Sequence, residues 1–229
     1  MRSTDRVHTA ERVALVQWTA RIGAVSADAL AVRDACTAAS ARARLQGAER
    51  ARLLSSRRPL AGQPALYTVT RAGLRLSGLP GLDPPRVSAA NASHAIACAT
   101  AAAVLERCYP DHRVQGERAL RHDEREHAAR LASARLGDGP DGVPRLHRPD
   151  LVLWPEHPDG GAPIAVEVEL TVKAPGRLLG ICRAWGRCGC VAGVLYLAAP
   201  GVDRALERAI EKAQAHRQIV VLPFDALAR

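Results

Sequence analysis

His147-Arg148-Pro149-Asp150-Leu151-Val152-Leu153, followed by Ala165-Val166-Glu167-Val168-Glu169-Leu170-Thr171-Val172-Lys173, is the stretch on which the fold of this 229-residue chain turns. Aliphatic and β-branched residues dominate both segments, which read as strands over Arg148 to Trp154 and Ile164 to Val172. Side chains alternate along a strand, so Glu167, Glu169, Thr171 and Lys173 share one face and Val166, Val168, Leu170 and Val172 the other. Asp150 opens the earlier strand, and pairing of the two as a hairpin brings Asp150 and Glu167 together. Downstream, the pattern gives a helix over Arg177 to Arg187, a strand over Val191 to Ala198, a helix over Asp203 to His216 and a strand over Ile219 to Leu222. Upstream lie an alanine-rich helix over 88–108, a strand over His112 to Gly116, a charged helical stretch from Glu117 to Leu136 and a Gly/Pro/Asp loop over 137–147. This alternation predicts an α/β sheet covered by helices.

Pro80, Gly81, Pro84 and Pro85 mark the clearest boundary, giving expected domains over 1–80 and 86–229 and an α+β chain overall. Before the boundary, a helix over 11–22 ends at Gly23, a second is capped by Ser26, and a third is capped by Thr37 and runs to about Leu54. The turn-rich basic segment Arg57 to Pro64 and the alternating Ala65 to Thr70 look like a β-hairpin wing, and Arg71 begins a short helix. Three helices and a hairpin of this kind read as a winged helix-turn-helix.

Charge is unevenly distributed. Residues 1–90 hold 14 arginines against 6 acidic residues, a balance of +8, whereas the remaining 139 residues balance at +1. The positive charge therefore belongs to the winged domain, which points to an anionic partner there. Arginine's rigid fork of donors suits both base edges and phosphates. Arg42 and Arg44, early in the third helix, are the base-reading candidates. Arg50, Arg52, Arg57, Arg58, Arg71 and Arg75 are placed for phosphates, which give affinity without sequence information. The plainer alternative is a solvated arginine-rich surface. The coincidence of charge with the helix-turn-helix pattern favours double-stranded DNA, with the protein acting as a homodimer. Absence of aromatics among these arginines speaks against a stacking platform for single strands.

Other classes are set aside on composition. No apolar run approaches the roughly 20 residues that span a membrane, and no export signal is read at the N-terminus, so a cytoplasmic location is expected. The six cysteines form no C-x-x-C pair, so no zinc site is expected. Without a glycine-rich phosphate loop, no small-molecule cofactor is expected either. A basic module for membranes or acidic proteins ranks last, for want of an amphipathic basic helix.

Converging carboxylates hold hard divalent ions such as Mg²⁺ or Mn²⁺ through oxygen, and such an ion activates water and stabilises charge on a phosphate. Asp150 and Glu167 are the candidate ligands, Glu117 can add a third oxygen, and His147 lies close enough in sequence to reach the site. The plainer reading makes Glu167 and Glu169 the polar face of a half-buried strand. Only two lysines occur, Lys173 and Lys212, so chemistry needing a lysine has two candidates.

Pro149-Asp150 followed by Glu167-x-Glu169 on the next strand looks like the PD-(D/E)XK nuclease core. With the preceding winged helix, which ends in Tyr67-x-Val69-Thr70-x-x-Gly73, residues 11 to 222 resemble the replication-relaxation family of plasmids and mobile elements. The resemblance implies an αβββαβ core, double-stranded DNA as the substrate class, Asp150 and Glu167 as metal ligands, and Glu117 as an accessory acid. It departs at one position. The pattern has a lysine two residues after the acidic ligand, where this chain has Glu169, which would repel phosphate instead of stabilising its developing charge. Lys173 is on the same face but about 13 Å farther along an unbroken strand, unless a bend at Ala174-Pro175 returns it. The resemblance thus implies a DNA-binding accessory factor whose nuclease-like domain is weakly active or inactive. The alternative is a divalent-metal-dependent endonuclease using Asp150, Glu167, Glu169 and Lys173.

Overall fold

The computed structural model of the chain describes residues 3–157 and 160–228. It is a mixed α/β protein that divides into two compact units, 1–109 and 110–229.

The first unit is built on α1 (Ser3–Ile22), β1 (Ala24–Val25), α2 (Ala27–Arg33), α3 (Ala38–Arg50), β2 (Leu54–Arg57), β3 (Leu66–Val69), α4 (Arg71–Leu76) and α5 (Ala89–Cys108). Polar caps set the helix starts: Ser26 Oγ accepts from Ala29 N, Thr37 Oγ1 from Ser40 N, and Thr70 Oγ1 from Gly73 N. The third helix stops four residues before the expected Leu54. Arg52 turns left-handed at φ +60°, and the Arg52 and Leu53 amides close onto the carbonyls of Glu49 and Ala48, a Schellman ending. The three strands form one antiparallel sheet in the order β1-β3-β2. Strand β1, too short to show any periodicity, was not legible in the sequence.

Thr70 and Gly73 have clear physical roles here. Thr70 Oγ1 also donates to the carbonyls of Arg52 and Leu53, at 2.7 and 3.1 Å, tying the end of β3 to the turn after α3. Gly73 lies so close beneath Leu53 that a Cβ would sit 2.3 Å from the Leu53 carbonyl oxygen.

The boundary differs from the one expected at Pro80–Pro85. Helix α5 packs on α2 within the first unit, where its alanines Ala92, Ala99 and Ala101 to Ala103 are buried and allow close approach. Arg33 of α2 stacks 4.9 Å over the Trp18 ring and pairs with Glu106 of α5 at 2.8 Å. A proline-rich connection separates elements along the chain, but burial of an apolar helix face decides which core it joins.

The second unit contains β4 (His112–Gly116), α6 (Glu117–Glu126), β5 (Ala134–Asp138), β6 (Pro144–His147), β7 (Leu151–Pro155), β8 (Ile164–Glu169), α7 (Pro175–Gly186), β9 (Gly193–Ala198), α8 (Asp203–Ala213), β10 (Ile219–Pro223) and a 3₁₀ turn at Phe224–Ala228. Its main sheet has the order β10-β9-β8-β7-β4, with β7 antiparallel to both neighbours and β8, β9 and β10 parallel. The core includes Val152, Ala165, Leu178, Ile181, Trp185, Val194, Tyr196 and Leu206.

Two expectations fail between residues 117 and 147. The charged helix ends at Glu126, because Ala128 turns left-handed at φ +48° and Ala128 and Ala129 close a second Schellman turn onto Arg125 and Glu124. The expected 137–147 loop belongs to the β5–β6 hairpin, turned by Gly139-Pro140-Asp141-Gly142 with Gly142 at φ +70°. Strand β8 likewise stops at Glu169, short of Val172, and the chain bends away before α7.

Candidate functional site

The first unit carries the arginines. Arg42 and Arg50 of α3, Arg57 and Arg58 at the β2–β3 hairpin, Arg52, and Arg71 and Arg75 of α4 are exposed. Arg42 of α3 and Arg58 at the hairpin both favour the ionised form of the Tyr67 phenol in β3. Burial is the main cause that raises this phenol above its ordinary range, and Glu49 adds to it. Arg44 stands apart from this set. It is half-buried and its Nη1 lies 2.5 Å from Asp34 Oδ2, so the candidate for base reading is held against the α2–α3 turn.

The second unit carries the carboxylates. Leu151 pairs with Val166, so Asp150 comes opposite Glu167 one step on, and Asp150 Oδ2 accepts from Val168 N at 2.8 Å. Glu117 opens α6 at the end of β4, and its amide donates to the Asp150 carbonyl at 3.0 Å. The backbone thus gathers Asp150, Glu117, Glu167 and Glu169 at one end of these strands. Glu167 and Glu169 are each 3% exposed, so they are not the solvated face of an ordinary strand.

All three glutamates are met by basic side chains. Glu167 Oε1 accepts from His147 Nε2 at 2.6 Å and from Trp185 Nε1 at 3.0 Å, beneath α7. Burial pushes the Glu167 carboxyl up and Asp150 adds to this, while His147 opposes it. His147 is raised as well: burial pulls it down, but the charge and hydrogen bond of Glu167 outweigh that cost. The pair therefore retains a proton that separated side chains would release. Glu169 pairs with Lys173, which the bend after β8 carries back to the strand it left. Glu117, at the surface, pairs with Arg121. Burial first and Glu167 second raise Cys182 to about 11 and Tyr196 well above its ordinary value.

These pairings test the fit of a divalent ion. The oxygens are of the right chemistry for Mg²⁺ or Mn²⁺. Among the described residues, however, Asp150, Glu167 and Glu117 do not bring three carboxylate oxygens within 4.8 Å of one another. An ion on Glu167 or Glu169 would also share its carboxylate with His147 or Lys173, whose positive charge opposes a cation. As folded, the residues fit a set of compensated buried charges better than a cation cage.

His147 reaches the site from β6, and Trp185 was not singled out by sequence reasoning. A glutamate facing a buried sheet surface needs donors, and that requirement is the signal that could have pointed to the indole. Lys212 is exposed on α8 and takes no part. No helix among the described residues is long and apolar enough to cross a membrane. Compared with protein-family profiles, curated proteins and solved structures, the chain matches none.

Proposed function

We propose that this chain is a double-stranded-DNA-binding protein, a replication or regulatory accessory factor of a plasmid or mobile element. In this reading the first unit serves as a winged helix-turn-helix, and the second is a nuclease-like scaffold with weak or no cleavage activity, working as a homodimer. The exposed arginines on α3 and the β2–β3 hairpin carry the proposal. Phosphates attract such a surface whatever the sequence, while a helix such as α3 suits the major groove. The run β7-β8-α7-β9, with Asp150 just before β7 and Glu167-x-Glu169 on β8, supports the resemblance; the rest of the second unit departs from an αβββαβ order, since it opens on β4, places α6 before β7 and sets β5 and β6 apart as a hairpin. The compensated charges of Glu167 and Glu169 favour an inactive scaffold.

Fluorescence anisotropy with labelled duplex tests this reading. Arg42→Ala combined with Arg58→Ala should weaken binding and reduce its dependence on salt. Binding that is unchanged and insensitive to salt would sink it.

One observation favours the second reading, a Mg²⁺- or Mn²⁺-dependent endonuclease using Asp150, Glu167 and Glu169. Lys173 returns to Glu169 and so stands where the nuclease pattern wants a cation. Such an ion, when bound, would supply an activated water. Mn²⁺ calorimetry and plasmid nicking, run on wild type, Asp150→Ala and Lys173→Ala, decide between the two. Heat and nicking lost together in the Asp150 variant establish the nuclease, and absence of both leaves the scaffold.

A further inference from the structure

The second unit is almost neutral, yet its charges are sorted in space. A groove of about 670 Å³ is lined by Arg121 and Arg125 of α6, Arg130 of the following turn, Arg135 of β5 and Arg148 after β6. Arg130 and Arg135 also line an adjoining hollow that adds Arg187. The first groove has one acidic wall residue, Glu124, and that carboxylate is already used. It is buried, accepts from Leu131 N at 3.1 Å, and pairs with Arg148 at 2.9 Å. Glu124 therefore shapes the groove without cancelling the other arginines. Arg121 and Arg135 pair with Glu117 and Asp138 outside the groove, in solvent-exposed contacts that water weakens. Arg121 and Arg125 are one helical turn apart and share a face of α6. Arg125, Arg130, Arg135 and Arg187 are exposed.

Like charges are gathered against their own repulsion, and a folded chain maintains such a cluster most readily where an anion relieves it. The uncharged lining residues are Ala128, Ala129, Val143, Pro144 and Leu146, with no aromatic ring among the described residues, so the groove offers charge and no stacking surface. Its arginines come from separate elements, which makes it a track for a chain of phosphates more than a pocket for one small anion.

We infer that this groove is a second phosphate-binding surface, by which the α/β unit holds the backbone of duplex DNA independently of the arginines of the first unit. The inference rests on the DNA-binding reading above and extends it. The helix and hairpin of the first unit select and anchor a site, and the groove grips a further stretch of backbone without reading bases.

The test uses the full chain and labelled duplex of mixed sequence, titrated over a range of salt. The triple variant Arg125→Ala, Arg130→Ala and Arg135→Ala spares Arg148, which holds Glu124. Its slope of log affinity against log salt should fall by about 0.9 for each phosphate that the variant no longer neutralises, with affinity at least roughly tenfold weaker at low salt. The matching triple lysine variant should keep most of the affinity, which separates loss of charge from loss of fold. If the alanine triple binds with the wild-type slope while Arg42→Ala with Arg58→Ala does not, the groove inference is overturned and the DNA reading stands. If wild type binds no duplex at any salt, both fall. A preference for duplex RNA, lost in the alanine triple, would keep the groove but overturn DNA as its partner.

Discussion

Removing the Glu167 carboxylate separates a structural acid from a metal ligand. In Glu167→Ala, His147 Nε2 and Trp185 Nε1 both lose their acceptor, since the two donate to the same oxygen at 2.6 and 3.0 Å. A buried donor left unsatisfied costs about 1–3 kcal/mol, and breaking a buried pair from one side costs about 3–5 kcal/mol. Relief of Glu167's own burial and of its repulsion from Asp150 offsets part of this. The expected loss is about 3 kcal/mol, read from urea unfolding at neutral pH with chelator present. Glu167→Gln keeps a carbonyl oxygen and the volume, and should lose about half as much. The pH dependence has a definite sign. Both groups are raised on folding, so the native state binds more protons than the unfolded chain. The stabilisation linked to His147 is complete below its ordinary value of 6.5 and is lost as pH rises through the higher folded value. The cost of ionising buried Glu167 grows in the same direction, above its ordinary 4.5. The difference in stability between wild type and Glu167→Gln should therefore shrink as pH rises. A Glu167→Ala variant within about 0.5 kcal/mol of wild type, or more stable than it, would refute the reasoning. The carboxylate would then be a strained group, held for a ligand.

Other expectations rest on single neighbours. Gly73→Ala places a Cβ 2.3 Å from the Leu53 carbonyl and 2.6 Å from Val69 Cγ2. It should destabilise the first unit by at least about 2 kcal/mol, in the upper part of the usual overpacking range, and an unchanged melting temperature would contradict the packing. Arg44→Ala should cost less than about 1 kcal/mol, since its pair with Asp34 is partly exposed. It should also leave duplex affinity nearer wild type than Arg42→Ala does, and anisotropy checks the ranking. Cys188 and Cys190 bring their sulfurs to 3.2 Å, and the hydrogen bond from Cys190 lowers Cys188 to about 6 while Cys190 is raised. One thiolate should therefore form with a midpoint near 6, read by its ultraviolet absorbance because Cys188 is buried, and disappear in Cys188→Ser; two thiols titrating together near their ordinary value of 9.0 would overturn the pairing.

Local rules carried the sequence reading wherever a segment's own residues decide its state. The caps at Ser26 and Thr37 begin helices because a side-chain oxygen satisfies an amide within three residues, and no distant group is needed. The strands β4, β9 and β10 and helices α4, α7 and α8 lie close to their expected ranges for the same kind of reason. So does the antiparallel meeting of β7 and β8, whose aliphatic runs can be buried only against each other and their neighbours. Where helices stop was less legible, because Arg52 and Ala128 enter left-handed turns that neither residue favours on its own. The state of the acids was decided by tertiary structure. Alternation put Glu167 and Glu169 on one face, but only tertiary packing buried them, only α7 brought Trp185 to Glu167, only the hairpin delivered His147, and only the bend after Glu169 returned Lys173. Helix α5 joined the first unit for a comparable reason, since its alanines pack wherever a helix face is complementary. Sequence spacing specifies which residues share an element. The distances between elements, on which charge compensation depends, arise only when the cores are packed.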